Sequence, residues 1–134
     1  MQQTSLSDDS PVARGGINRD PTSLLQQIQD NIADGDGPVL SIFIVEPNAE
    51  RSVEQALIQA CHDGPVMHGQ VQVSSLGRLR SAGFRIVQEA NEGESYCHHH
   101  VYFEEPVTYS RVREWIECFD PPIPNPDPDR RRRR

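Results

Sequence analysis

The sequence predicts a single small α/β domain with a mixed four-stranded sheet. Three observations predict it: one apolar run typical of a central strand, segments of helical periodicity that alternate with strand-like runs, and two polar ends without periodicity. The domain is expected over residues 21–120. A disordered N-terminal arm (1–20) precedes it, and a disordered Pro-rich tail (121–134) that ends in five Arg follows it. The predicted element order is α-β-α-β-α-β-β-α.

The first helix and the first strand are the clearest local patterns. Leu and Ile recur at helical spacing over residues 22–34, with Thr22 or Ser23 as the predicted N-cap, and glycines with a proline end the helix. The run Val39–Val45 is apolar at almost every position. Such a run is typical of a strand that is covered on both faces, so we expect it inside the sheet.

A helix, a strand and a short helix follow. Asn48 is the predicted N-cap of a helix whose apolar face lies over residues 53–61. Residues 66–73 alternate between apolar and polar side chains, which predicts a half-exposed strand. Ser74 or Ser75 is expected to cap a helix of about two turns after this strand.

The last predicted elements are a hairpin and a helix. Residues 84–90 and the histidine-containing run 96–105 are strand candidates, and the short polar segment between them predicts an antiparallel hairpin. Thr108 is the predicted N-cap of a helix whose apolar stripe over residues 112–119 contains Trp115. This stripe is expected to pack in the core.

The order β-α-β-α-β-β-α over residues 38–120 is similar to the thioredoxin-like core. The chain departs from that family where its chemistry resides. The first strand-to-helix turn is Glu46-Pro47-Asn48-Ala49, which contains no cysteine, and no proline immediately precedes Phe84. The sequence therefore does not support thiol–disulfide chemistry.

Charge and cysteine content limit the function classes. Residues 1–129 carry eight Arg against twenty Asp and Glu, a net charge of −12, and the chain has no Lys. An acidic body repels phosphate backbones, which argues against nucleic-acid binding except through Arg130–Arg134. The three cysteines are widely spaced, which predicts reduced thiols in a cytoplasm, and the protein is expected to be prokaryotic. The longest apolar stretch is too short to cross a bilayer, and we expect no membrane attachment.

Three consecutive histidines, His98 to His100, are the candidate site. On a strand, alternate side chains share a face. Two sets result: Tyr96, His98, His100, Tyr102 and Glu104 on one face, and Cys97, His99, Val101 and Phe103 on the other, which is expected to be buried. Of the three histidines, only His98 and His100 are therefore expected to share a face and act together.

His98 and His100 are candidate metal ligands. Their Cα atoms are roughly 6–7 Å apart on a strand, close enough to share one transition metal such as zinc. Further ligands are needed, and Glu104 and His68 are the candidates. The alternative is a row of polar surface residues without metal, and the sequence predicts no cofactor.

The same pair also suits acid–base catalysis without a metal. Two imidazoles can flank a phosphodiester while a tyrosine or an arginine stabilises the developing charge. His98, His100, Tyr102 and Arg85 supply these groups, with Arg85 on the partner strand of the hairpin.

Three functions are consistent with these features. The leading hypothesis is a small cytoplasmic, non-catalytic protein-interaction module, an adaptor or regulatory protein that binds a protein partner. The first alternative is a histidine-dependent hydrolase, metal-assisted or nuclease-like, centred on His98 and His100. The second is an acidic immunity or antitoxin-like protein that binds a basic partner.

Overall fold

The computed structural model describes residues 2–64, 66–89 and 95–131, which form six strands and five helices. The strands are β1 (Pro11–Gly15), β2 (Val39–Ile44), β3 (Gln70–Ser75), β4 (Arg85–Gln88), β5 (His98–Tyr102) and β6 (Ile123–Pro124). The helices are α1 (Pro21–Ala33), α2 (Val53–Asp63), α3 (Leu76–Ser81), α4 (Tyr109–Glu117) and the single turn α5 (Pro128–Arg131). They form one α/β domain around a single sheet.

Within the described residues the sheet has six strands in the order β4-β5-β2-β1-β3-β6, and every neighbouring pair is antiparallel. Val12 of β1 lies opposite Ile44 of β2 on one side and opposite Ser74 of β3 on the other. As a result, β2 and β3, which α2 connects, run in the same direction with β1 between them. The predicted hairpin of β4 and β5 is confirmed, with Val87 opposite His100.

The prediction of a mixed four-stranded sheet is wrong in strand number and in strand direction. Two of the strands lie in segments predicted to be disordered, β1 within residues 1–20 and β6 within residues 121–134. β1 has five residues, begins with Pro and ends with Gly, so it offers neither the length nor the alternation by which strands are recognised. The element order therefore also differs from the thioredoxin-like order.

One face of the sheet is covered by α1, α3 and α4. Trp115 of α4 is almost fully buried there and packs edge-to-face on Phe84, with ring centroids 5.4 Å apart. The core on this side includes Leu24, Ile28, Leu40, Ile42, Leu79, Ile86, Val101, Val112 and Trp115. The predicted packing of the last helix into the core is confirmed.

The other face is covered in part, by α2. This helix packs mainly against β1 and β2, and the small side chains of Ala56 and Ala60 allow a close approach to Ala13. Cys61 and Cys97 belong to the same cluster of buried residues. Cys97 therefore lies on the α2 side, whereas the strand pattern predicts that it shares the face of His99.

Each of the four longer helices in the described chain begins with a side chain that accepts a backbone hydrogen bond: Asp20, Ser52, Ser75 and Thr108. The predictions of Ser75 and Thr108 are confirmed. At α1, Asp20 caps the helix instead of Thr22 or Ser23, and at α2, Ser52 does so instead of Asn48. Among the described residues, no helix has both the length and the apolar content needed to span a membrane.

The C-terminal segment is fastened to the domain. Asn125 is fully buried, and its Nδ2 donates hydrogen bonds to the backbone oxygens of Val66, at 3.1 Å, and His68, at 2.9 Å. Asp127 Oδ2 lies 2.9 Å from His62 Nδ1 on α2. The prediction of a disordered tail is therefore wrong up to residue 131, and residues 132–134 of the arginine run lie outside the described residues.

The N-terminal arm also follows the domain surface. The backbone N–H of Thr4 donates to Ile86 of β4 at 2.8 Å, and the Arg80 guanidinium contacts Asp8 at 2.7 Å. These contacts hold residues 4–8 beside β4 and α3. The arm is thus part of the folded domain, contrary to the prediction of disorder.

Candidate functional site

A row of polar and aromatic side chains lies on the sheet face that α2 covers only in part. We call this surface the histidine face and define it by Ser41, Phe43, Arg85, Val87, Glu89, His98, His100 and Tyr102. The register of three strands creates it: Phe43 lies opposite His98, and Ser41 and Val87 flank His100 on the two sides. The alternation predicted for His98, His100 and Tyr102 is confirmed.

His98 is held by a hydroxyl and an aromatic ring. Its Nε2 lies 3.0 Å from Ser41 Oγ, and its ring centroid lies 5.4 Å from that of Phe43. Only 7% of the residue is exposed, whereas Ser41 is exposed. His98 is thus a buried imidazole that reaches the surface through the hydroxyl of Ser41.

His100 pairs with a carboxylate. Its Nδ1 lies 2.5 Å from Oε2 of Glu89, and both side chains are largely buried, 18% exposed for His100 and 15% for Glu89. A short contact of this kind is a charge-assisted hydrogen bond when the imidazole is protonated. Glu89 also fixes the orientation of the ring, as carboxylates do for histidines in many polar sites.

The rings continue the row toward the end of β5. The centroids of His98 and His100 are 4.9 Å apart, and those of His100 and Tyr102 are 6.2 Å apart. The Arg85 guanidinium lies over the Tyr102 ring at 5.4 Å. Burial and the nearby Glu89 carboxylate raise the pKa of Tyr102. The structure thus brings together all four candidate catalytic residues, His98, His100, Tyr102 and Arg85.

His99 takes no part in this row. It is fully buried on the opposite side of β5, and its Nδ1 lies 2.9 Å from the backbone oxygen of Cys97. Burial lowers its pKa, so His99 is neutral near pH 7 and donates its Nδ1 proton to this oxygen. Its Nε2 has no hydrogen-bond partner among the described residues.

The candidate metal ligands do not converge. Glu104 is exposed beyond the end of β5, and His68 precedes β3, which lies three strands away from β5 in the sheet. In the described chain, a group of three close potential ligands occurs elsewhere, at His62, Asp127 and Asp129, whose ligand atoms lie within 4.8 Å of one another. Asp127 Oδ1 accepts the backbone N–H of Asp129 while Oδ2 contacts His62, so this group fastens the tail to α2.

Sequence patterns miss two polar members of the histidine face, Ser41 and Glu89, as well as the apolar Phe43 and Val87. Ser41 stands within an apolar run, where the local pattern gives it no role. Glu89 follows β4, and aligning the hairpin from its loop places it on the face of His100. This alignment of the hairpin is the sequence signal that would identify Glu89. Ser41 has no such signal, because the pairing of β2 with β5 leaves no local pattern in the sequence.

The cysteines are unsuited to nucleophilic chemistry. All three are free thiols, and Cys61 and Cys97 are buried. Burial raises the pKa of Cys61 to about 12, with smaller contributions from Asp127 and Cys97, and burial likewise raises the pKa of Cys97. Since the thiolate is the nucleophile, these residues act as small core side chains.

Comparison with known proteins finds no relative of this chain. A scan of protein-family models finds no match to the chain, and searches of curated proteins and of solved structures find none either.

Proposed function

We propose that this protein is a non-catalytic protein-interaction module that uses the histidine face to bind a partner with a basic surface. The observation that supports the proposal is that the main contacts of α2 are with β1 and β2, while the histidine face continues beyond them onto β5 and β4. Tyr102 and His100 are partly accessible there, and Arg85 is exposed. Tyrosine and arginine dominate the binding energy of many protein interfaces.

The charge of the chain supports a basic partner. Residues 1–129 have a net charge of −12, so a protein of opposite charge is attracted at long range and a nucleic acid is repelled. Glu89 lies within the histidine face, and Glu104 is exposed two residues after Tyr102. These carboxylates give an arriving cationic side chain local partners.

The test compares the effects of two tyrosine-to-alanine substitutions on the affinity for the partner. A protein captured from a lysate of the source organism is purified, and its binding to the full chain is measured by calorimetry at low and moderate salt. Tyr102→Ala should weaken binding at least about tenfold, because it removes a partly accessible aromatic ring of the face. Tyr109→Ala, at the start of α4 and 49% exposed, is the matched control and should leave the affinity unchanged.

Equal affinities of wild type and Tyr102→Ala would exclude this face as the contact surface. Affinity that does not fall with salt would argue against a basic partner. If the partner is a nuclease and binding inhibits it, the interaction is of the immunity or antitoxin type.

A hydrolase is the second candidate, favoured by the hydrogen bonds of Ser41 with His98 and of His100 with Glu89. In such an enzyme, Nε2 of His98 accepts the hydroxyl proton as Ser41 Oγ attacks the carbonyl carbon of an ester or the phosphorus of a phosphodiester. When His100 carries a second proton, its Nε2 donates that proton to the leaving oxygen. A water molecule then cleaves the ester formed on Ser41, giving one proton to His100 while His98 returns its proton to Oγ. A cleft of about 360 Å³ borders Arg85 and Tyr102, but its described walls include neither Ser41 nor His98, which supports binding better than catalysis.

Hydrolysis of 4-nitrophenyl acetate and bis(4-nitrophenyl) phosphate tests this candidate. If it is correct, Ser41→Ala and His98→Ala should each lower the rate by about 10²-fold or more. His62→Gln removes a histidine outside the face and should retain the rate, and insensitivity to EDTA separates this mechanism from a metal-assisted one. A wild-type rate no higher than that of buffer, or a rate unchanged in Ser41→Ala, excludes it.

A further inference from the structure

A cleft of about 600 Å³ opens near the end of β1, away from the histidine face. Its walls include Arg14, Gly16 and Ile17 from β1 and the following loop, Gln27 from α1, and His68 and Gln70 at the start of β3. Arg14 neighbours Ala13, which shares the α2 side of the sheet, so strand alternation directs Arg14 to the opposite side. The cleft is thus separate from the proposed protein-binding surface.

Arg14 is a buried cation without a counter-ion in the described part of the chain. The residue is 9% exposed, and no Asp or Glu carboxylate of the described residues lies within 4 Å of its guanidinium. Its Nη1 donates a hydrogen bond to the backbone oxygen of Asn18 at 3.1 Å. A guanidinium has five N–H donors, so a carboxylate or a phosphate can still be bound by this group.

Burial has an electrostatic consequence at this position. It lowers the pKa of Arg14 to about 10, which still leaves the side chain charged at neutral pH. Keeping a charge in a buried position costs free energy unless an opposite charge compensates it. In a chain with twenty acidic residues, a buried arginine that pairs with none of those described favours an external anion as its partner.

The remaining walls of the cleft suit a small organic anion. None of the described residues that line the cleft is Asp or Glu, and the amides of Gln27 and Gln70 and the His68 ring offer further hydrogen-bonding groups. A Cβ atom at Gly15 would collide with the His68 ring, so the glycine allows the imidazole to lie over the loop. Ile17 is 65% exposed and provides an apolar surface at the opening.

We propose that this cleft binds a small organic molecule that carries one oxyanion, a carboxylate or a phosphate, on an apolar body. The oxyanion contacts Arg14, and the apolar body packs against Ile17. A volume of about 600 Å³ is within the range of small-molecule sites. A ligand of this class could come from phosphorylated metabolites or from carboxylic acids, and the experiment separates the two.

The test uses NMR titration of the ¹⁵N-labelled full chain. The probes are phenyl phosphate, benzoate and inorganic phosphate, with benzyl alcohol as the neutral control. We expect at least one aromatic anion to shift the amide signals of Gly15 and Gly16 with a Kd below about 1 mM, whereas Gly35 and Gly37, in the turn after α1, stay unshifted. Preference for phenyl phosphate or for benzoate identifies the oxyanion.

Variants locate the binding groups. Arg14→Met should weaken binding of the aromatic anion at least about tenfold. Ile17→Ala should also weaken binding of the aromatic anion but should leave the affinity for inorganic phosphate unchanged. If Arg14→Met fails to fold, Ile17→Ala and His68→Ala, which alter exposed side chains, still carry the test. Absence of shifts with every anion at 20 mM, equal binding of benzyl alcohol, or unaltered binding in a folded Arg14→Met or in both surface variants would overturn the proposal.

Discussion

Adjacent histidines on β5 differ in environment because a strand turns successive side chains to opposite faces. His98 and His100 lie on the histidine face, and His99 is fully buried on the opposite side of β5. The three imidazoles are therefore chemically distinct: one contacts a hydroxyl, one a backbone carbonyl and one a carboxylate. This separation allows the buried histidine to be tested independently of the other two.

The buried imidazole of His99 predicts acid sensitivity of the fold. Burial lowers its pKa in the folded protein below the value near 6.5 of the unfolded chain, although the hydrogen bond to Cys97 acts in the opposite direction. Between these two pKa values the unfolded state binds more protons. The free energy of unfolding therefore falls as the pH falls through this window, by up to about 1.4 kcal/mol per pH unit, and His99 has no effect above the window.

Urea unfolding at pH 5.5, 6.5 and 7.5 measures this effect. His99→Gln removes the titrating group and should lessen the fall in the free energy of unfolding below pH 6.5, whatever its own stability at pH 7.5. His68→Gln replaces an exposed histidine and should keep the pH dependence of the wild type. Identical pH profiles for wild type and His99→Gln would contradict the prediction.

Elements with strong local signals are predicted well from the sequence. The apolar run of β2, the stripe of α4 and the hairpin of β4 and β5 each depend on residues close together in the chain, and all three are present. β1 is not predicted, because it is short and its identity as a strand comes from pairing with β2 and β3, which lie far along the chain. The N-cap of α1 is predicted wrongly because several residues compete, and local geometry decides among Asp20, Thr22 and Ser23.

The contrast between local patterns and pairings of distant segments also explains which parts of the histidine face the sequence predicts. Alternation along one strand is local, so the common face of His98, His100 and Tyr102 follows from the sequence. The partners come from other strands: Ser41 lies opposite His100 and contacts His98 diagonally only because β2 lies beside β5 in this register. His68, the distant candidate ligand, is excluded from the face by strand order, which a single sequence does not contain.

At the scale of the whole molecule, the C-terminal segment is predicted to contribute to stability. Deleting residues 121–134 removes β6, the buried hydrogen bonds of Asn125 and the contact between Asp127 and His62. We expect a loss of about 2–4 kcal/mol in the free energy of unfolding, because the backbone oxygens of Val66 and His68 lose their donors.

Urea or thermal unfolding measures this loss. Deletion of residues 132–134 alone is the matched control. It should leave the free energy of unfolding within about 0.5 kcal/mol of the wild-type value. If the longer deletion has the same midpoint as the control, the tail does not stabilise the domain.

The position of β1 in the sheet also determines how the domain can come apart. β4, β5 and β2 lie on one side of it, β3 and β6 lie on the other, and among the described strands these two groups are joined through β1. A strand from the first fifteen residues therefore makes one cooperative unit out of two smaller sheets. Losing it would divide the molecule through its middle, whereas losing a terminal segment usually frays only an edge.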